Sequence, residues 1–275
     1  MSPVTIRVAL LGLNQVSWKP TRSCRVTGDI TLAEVQERLE RLFAGWRRGD
    51  TPTKSLPIVA APTRPRIFLM DRPGSEQSYI IAGQLIPPLN DDTELSLETM
   101  NDILGGSFTS RINMNLREDK AWSYGARTSI VDTEAQRLLL TIAPVQSNQT
   151  AASMVEIERE IRDYASTRPA TDEEVATAKR RNTLSLPGRW ETARSVARDI
   201  QDIVRFGLPD DYWDSYAERV QGLDTASVDE IARNLLTPDD LTWLVVGDLE
   251  QIESSIKELD IGEVTVIDTA GRIIN

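Results

Sequence analysis

Between Leu104 and Gly125 the chain gathers most of the side chains that could do chemistry: Arg111, Arg117 and Tyr124, preceded by Gly105, Gly106 and Ser107. Arg117 precedes Tyr124 by seven residues. A helix-to-strand transition between them would let a guanidinium and a phenol, both hydrogen-bond donors, point toward one cleft. Taken alone, the pair reads more readily as an arginine tied to nearby acids and a half-buried strand aromatic. Gly105-Gly106 followed by Ser107-Phe108 reads either as a flexible loop facing a ligand or partner, or as a break that lets two helices pack closely. Arg111 could meet a ligand carboxylate or stand solvated on a helix.

The sequence holds no histidine in 275 residues, which removes Ser-His-Asp and Cys-His catalysis, His-ligated zinc and imidazole proton transfer. A carboxylate-only metal site remains conceivable, although acidic pairs are usually solvated surface. Cys24 is the single cysteine, so no disulfide can close within the chain. With 40% hydrophobic and 27% charged residues the composition is that of an ordinary soluble globular protein. No apolar run approaches the ~20 residues a membrane span needs. A net charge of −11 argues against nucleic acid, because a polyanion needs clustered Lys and Arg to displace its counterions. Val8 to Leu11 after Arg7 is too short for a secretory leader, so no signal peptide is expected, and the compartment stays open between cytoplasm and periplasm.

Those residues must be positioned by regular elements. Ile67 to Met70 and Tyr79 to Ile86 read as strands with Pro73-Gly74 turning between them. A helix beginning at Asp91 or Asp92 carries Leu97, Met100, Ile103 and Leu104 on one face until Gly105-Gly106 interrupts it. Ile112 to Glu118 reads as helix again, and Trp122 to Val131 with Arg137 to Ala143 as a hairpin. From Gln149 to Leu236 the pattern is mostly helical, broken at Pro169, Pro187-Gly188, Gly207-Leu208-Pro209 and Gly222. Thr171 with Asp172-Glu173-Glu174 has the pattern of a helix N-terminus. A strand at Leu241 to Val246, a helix from Leu249 and a strand near Val264 to Ile267 close the chain. The expected class is α+β, an antiparallel-rich mixed sheet with helices packed on one face.

One design occurs twice. Val26-Thr27-Gly28-Asp29-Ile30 precedes a helical pattern through Leu32, Val35, Leu39, Leu42 and Phe43, and Val245-Val246-Gly247-Asp248-Leu249 precedes Ile252, Ile256 and Leu259. In each, a Gly-Asp turn is expected to end a strand and cap the next helix. Gly28 and Gly247 lie 219 positions apart, which suggests a repeating unit of about that length. Residues 26–48 then resemble the closing turn and helix of a preceding unit, and residues 49–65, with four prolines, a linker. Residues 66–275 are expected to form a complete domain. Arg22-Ser23-Cys24-Arg25 departs from the apolar lead-in of the second copy.

The whole constellation resembles the pitrilysin and insulysin type of zinc metallopeptidase, which includes the mitochondrial processing peptidases. The resemblance is carried by Pro73-Gly74, Gln77-Ser78, Gly105-Gly106, Ser110-Arg111, Leu116-Arg117-Glu118 and Ser123-Tyr124-Gly125. It covers nearly everything from Arg66 to Leu259, and Trp122 departs from the small aliphatic side chain usual there. It implies the metal-free C-terminal half, in which Arg117 and Tyr124 act catalytically by stabilising the oxyanion on a scissile carbonyl. Gly105, Gly106, Ser107 and Arg111 would touch the peptide. The family's His-x-x-Glu-His zinc motif is missing, so the chain alone should be inactive, hold no cofactor, and depend on a zinc-bearing half or subunit. A homodimer is a further implied partner. The rival expectation is a scaffold or peptide-binding subunit of the same fold that takes no part in hydrolysis.

Overall fold

The computed structural model describes residues 5–6, 26–45 and 55–274. The Val8–Leu11 run, Arg22 to Arg25 and the first part of the 49–65 linker lie outside them. In chain order the elements begin with a short strand pair, β1 (Thr5–Ile6) and β2 (Val26–Thr27), and helix α1 (Leu32–Leu42). Strands β3 (Arg66–Asp71) and β4 (Gln77–Ile86) lead to α2 (Asp91–Asn101), the helical turn α3 (Arg111–Asn113), β5 (Arg127–Val131) and β6 (Arg137–Gln146). Six helices follow: α4 (Thr150–Tyr164), α5 (Asp172–Leu184), α6 (Leu186–Arg189), α7 (Ala193–Phe206), α8 (Tyr212–Gly222) and α9 (Thr225–Leu235). The chain closes with β7 (Thr242–Gly247), α10 (Leu249–Lys257) and β8 (Glu263–Ile267). No helix among the described residues is long and apolar enough to cross a membrane.

By contacts the chain groups into two units, Met1–Pro57 with Asn182–Ala217, and Ile58–Arg181 with Glu218–Asn275. Asn182–Ala217 thus groups by contacts with the first unit. In that first unit α1 is capped by Thr31, whose hydroxyl accepts from the Glu34 N–H while the Glu34 carboxylate accepts from the Thr31 N–H at 2.8 Å. In α7 the Asp199 carboxylate takes both the Arg189 fork, at 2.7 and 2.9 Å, and the Trp190 indole N–H at 2.7 Å, so Pro187 to Trp190 is anchored as well as turned.

The second unit is built on a six-stranded mixed sheet in the order β5-β6-β4-β7-β3-β8. Three of its strand pairs are antiparallel, and β3 lies parallel to both β7 and β8. Alternation in each strand puts one set of side chains on the covered face. Register aligns these sets into rows: Ala143, Ile80, Val245 and Leu69 in one, Thr128, Thr141, Ala82, Trp243 and Ile67 in the next. All nine are buried. Apolar residues of α2, α4, α9 and α10, among them Met100, Met154, Val228 and Ile252, join the same core.

Two local expectations are corrected, and one expected turn joins strands that do not pair. Pro73-Gly74 does turn, with Gly74 at φ +73°, but β3 and β4 are not neighbours, because β7 enters between them. Trp243 and Val245 of β7 are buried there, and that long-range burial decides the partner, not the turn. Strand β5 starts at Arg127, five residues after Trp122, because the Trp122 and Ser123 N–H groups donate to the Leu116 carbonyl and the Ala126 N–H to the Asn113 side chain. The Asp248 carboxylate caps nothing in α10. It accepts instead from the Gly74 N–H at 3.1 Å and the Gln251 amide at 2.6 Å, binding the β3–β4 turn to α10.

Candidate functional site

Gly105-Gly106 does not interrupt α2. The helix widens there into a π-helical turn, Asp102–Gly106, and a second π-helical turn, Met114–Asp119, continues α3. The wider i→i+5 bonding, such as the Lys120 N–H to the Asn115 carbonyl at 3.0 Å, recurs at functional sites. Gly105 is buried, and a Cβ placed on it would stand 2.5 Å from the Thr128 backbone nitrogen and 2.5 Å from its methyl. Its small size therefore serves helix-to-sheet packing. Gly106 is exposed, and a Cβ there would meet the Asn101 and Asp102 side chains at 2.8 Å. Neither glycine lies in a loose loop.

The segment between the two π-helical turns is a compact turn. The Ser107 hydroxyl donates to the Asp102 carbonyl at 3.0 Å, and the Ser110 hydroxyl to the Ser107 carbonyl at 2.6 Å. Phe108 stands 61% exposed at its tip. Ser107 and Phe108 form one wall of a cavity of about 340 Å³, whose other wall is the first half of α5.

Arg111 corrects the expectation most sharply. It is neither solvated nor offered to a ligand. Its Nε and one terminal nitrogen each reach a Glu174 carboxylate oxygen at 2.7 Å. The terminal nitrogens also donate to the Pro169 carbonyl at 2.8 Å and to the Arg168 carbonyl. The guanidinium lies 4.4 Å over the Tyr164 ring centre. Burial penalises its charge, but the hydrogen bonds and charge of Glu174 more than offset this and hold the arginine firmly protonated. Burial also pushes the Glu174 carboxyl up, while Arg111 and the Thr171 cap pull it below the usual glutamate range. Thr171 and Glu174 form the expected capping box, with the Thr171 N–H donating to Glu174 at 2.9 Å. Arg111 thus ties α3 to the start of α5.

Arg117 and Tyr124 sit on a cradle of backbone bonds. The Leu116 carbonyl accepts from the Trp122 N–H at 2.9 Å and the Ser123 N–H at 3.2 Å, which brings the residues flanking Arg117 and Tyr124 together. The Ser123 hydroxyl donates to the Pro144 carbonyl at 2.6 Å, in place of a strand bond. Buried Asn113 clamps both loops: its amide donates to the Phe108 carbonyl at 2.6 Å, and its carbonyl oxygen accepts from the Ala126 N–H at 3.0 Å. On this frame Tyr124 is 88% exposed, not the half-buried strand aromatic of the alternative expectation. The Arg117 guanidinium lies 4.5 Å over the Phe108 ring centre, and its Nε reaches Glu118 at 3.2 Å. The divergent Trp122 is half-buried against the core, with the Lys120 ammonium 5.3 Å from its ring centre.

Sequence reasoning marked Phe108 only as part of the glycine segment and did not find Asn113. Nor did it find Asn115, whose amide bridges buried Glu156 and Glu160 of α4 at 2.8 Å each and so seats the second π-helical turn on α4. An asparagine in a helical run carries no periodic signal, so only the three-dimensional neighbours reveal these roles. For zinc the donor set is unsuitable. The chain has no histidine, and among the described residues no group of three or more Cys, Asp or Glu side chains could hold a metal ion. The carboxylate-ligated metal site conceivable from composition therefore has no ligand set there.

The fold recurs in solved structures. A peptidase M16 inactive domain from Pseudomonas fluorescens aligns with a TM-score of 0.71 at 19% identity, over 80% of this chain and 52% of that one. A protease from Helicobacter pylori aligns at 0.68 and 16% identity, over 80% and 53%. A chain of Complex III2 from Candida albicans, with Inz-5 bound, aligns at 0.64 and 14% identity, over 84% and 57%. The chain thus spans about half the length of these structures. No curated protein sequence matches it. Residues 23–182 match the family model of the peptidase M16 inactive domain, which includes the π-helical turns, Arg117 and Tyr124. With more than half of its length matched by that model, and with the same fold as members of that family, the chain belongs to the peptidase M16 inactive-domain family.

Proposed function

We propose that this chain is the non-catalytic half of a zinc-dependent endopeptidase and that it completes the active site of a zinc-bearing half. The carrying observation is the contrast within one motif: Arg111 is consumed by internal bonds, whereas Tyr124 is held on an ordered loop with 88% of its surface open. An exposed aromatic fixed by buried hydrogen bonds is a donor prepared for something outside the chain. In this reading the Tyr124 hydroxyl donates to the scissile carbonyl as charge develops on its oxygen, and Arg117 holds that oxygen or a neighbouring carbonyl. The Phe108 ring limits where the guanidinium can swing. Such preorganised donors contribute about 3 kcal/mol each. Ser107 and Gly106, at the rim of the same turn, would meet the peptide backbone. Zinc and the attacking water belong to the partner.

The test is reconstitution. The chain and a separately produced half carrying His-x-x-Glu-His are assayed for cleavage of a quenched fluorescent peptide, apart and together. Cleavage that needs both supports the proposal, and a zinc half equally active without this chain contradicts it.

A second reading, a scaffold subunit that binds peptides or partners without hydrolysis, is favoured by the alignment with a chain of Complex III2. Co-purification with a partner lacking His-x-x-Glu-His would support it. A second copy of the chain, the other implied partner, is distinguished by sedimentation of the isolated chain.

A further inference from the structure

The cavity beside the Ser107–Ser110 turn has no part in the oxyanion role, and its lining is chemically specific. One wall is the exposed Phe108 ring, backed by Ile103 of the first π-helical turn. The other is α5, which lines it with Glu173, Thr177 and Ala178. At about 340 Å³ it falls within the size range of small-ligand pockets and holds one long side chain comfortably. The charges at its edge are unequal. Arg181 is paired with Asp102, and Glu174 is paired with Arg111. Glu173 is exposed and has no ion-pair partner among the described residues, so it is the uncompensated charge.

We infer that this cavity is a specificity subsite for a basic side chain, Arg or Lys, of an extended peptide. The methylene stem would lie between Phe108 and Ala178, as long cationic side chains bury their stems and keep their heads wet. The charged head would reach Glu173. Stacking of a guanidinium on the Phe108 face adds to this and favours Arg over Lys. The same ring carries the Arg117 guanidinium 4.5 Å from its centre, so the subsite adjoins the proposed oxyanion donor, and occupancy would register the peptide on it. An acidic side chain is rejected by Glu173 and by the net charge of −11. The inference rests on the peptide-binding reading above and adds a preference that reading does not contain.

The test uses the full chain and labelled nonapeptides that differ at one position, Arg, Lys, Met or Glu, in fluorescence anisotropy at low salt. Wild type is expected to prefer Arg over Met by about threefold to fivefold, the range of an exposed ion pair, and to bind Glu weakest. Glu173→Gln should bring Arg down to the level of Met and leave Met unchanged, and Glu173→Arg should invert the Arg-to-Glu order. Glu173 is exposed, so neither change threatens the fold. Phe108→Ala should weaken Arg, Lys and Met together. Peptide binding with an Arg preference that survives Glu173→Gln overturns the subsite and leaves the peptide-binding reading in place. Failure of every peptide to bind wild type overturns the subsite, while the reading of a half that completes a zinc site stands or falls with the reconstituted cleavage above.

Discussion

Replacing Arg111 by Met separates a structural arginine from a ligand-binding one. The side chain is 8% exposed and its partner Glu174 30% exposed. Removing it strands two backbone carbonyls and takes the strongest partner from Glu174. Breaking a buried pair by deleting one member costs about 3–5 kcal/mol. Glu174 keeps the Thr171 N–H and hydroxyl at 2.9 and 3.0 Å, which places the cost near the lower end, about 3 kcal/mol. For a unit of this size each kcal/mol moves Tm by ~2–4 °C, so a fall of roughly 6–12 °C is expected in thermal melts followed by circular dichroism. At a temperature where the variant remains folded, affinity for the Met nonapeptide, which draws on no carboxylate, should match wild type within about twofold. An unchanged Tm together with lost peptide binding would refute the structural assignment and return Arg111 to the substrate.

Three further outcomes follow from named contacts. Gly105→Ala should destabilise by about 1–3 kcal/mol, since the new Cβ meets the Thr128 backbone, while Gly125→Ala, whose nearest neighbour would be 3.7 Å away, should be close to neutral; paired urea melts decide it. Arg137→Met should cost about 3–5 kcal/mol, because the buried Arg137 reaches both Glu94 oxygens at 2.7 and 2.9 Å, and Arg137→Met with Glu94→Leu should recover most of that. Glu174 is held below its ordinary value of 4.5, so its contribution is present above that value and is lost as pH falls through the lower, folded value; Glu174→Gln should flatten this part of the acid limb of the Tm–pH curve.

The strands Tyr79 to Ile86 and Leu241 to Val246 were legible as short apolar runs, but their covered face was not, since Ile80-Ile81 and Val245-Val246 are apolar on both faces and the polar Gln84 is buried. Strand neighbours were not legible either, since nothing in Pro73-Gly74 announces that β7 will separate the strands it joins. Within the site, the motif spacing marked Arg117 and Tyr124 but could not rank the arginines. Arg111 and Arg117 differ only in what surrounds them. One faces Glu174, Pro169 and Arg168 across 57 to 63 residues of chain, and the other faces a neighbouring phenylalanine at the surface. The glycine pair was readable as close packing or as loop, and Thr128, more than twenty residues away, decides for packing at Gly105.

The most direct measurement is the rate of peptide cleavage by the reconstituted pair when this chain carries Arg117→Ala with Tyr124→Phe. Both side chains are surface groups outside the core, so Tm and binding to the zinc half should be unchanged. The expected result is a fall in kcat of about 10²-fold or more with KM altered little, the mark of donors used in the transition state. A kcat equal to that of the wild-type pair would contradict the assignment of Arg117 and Tyr124 to the completed site.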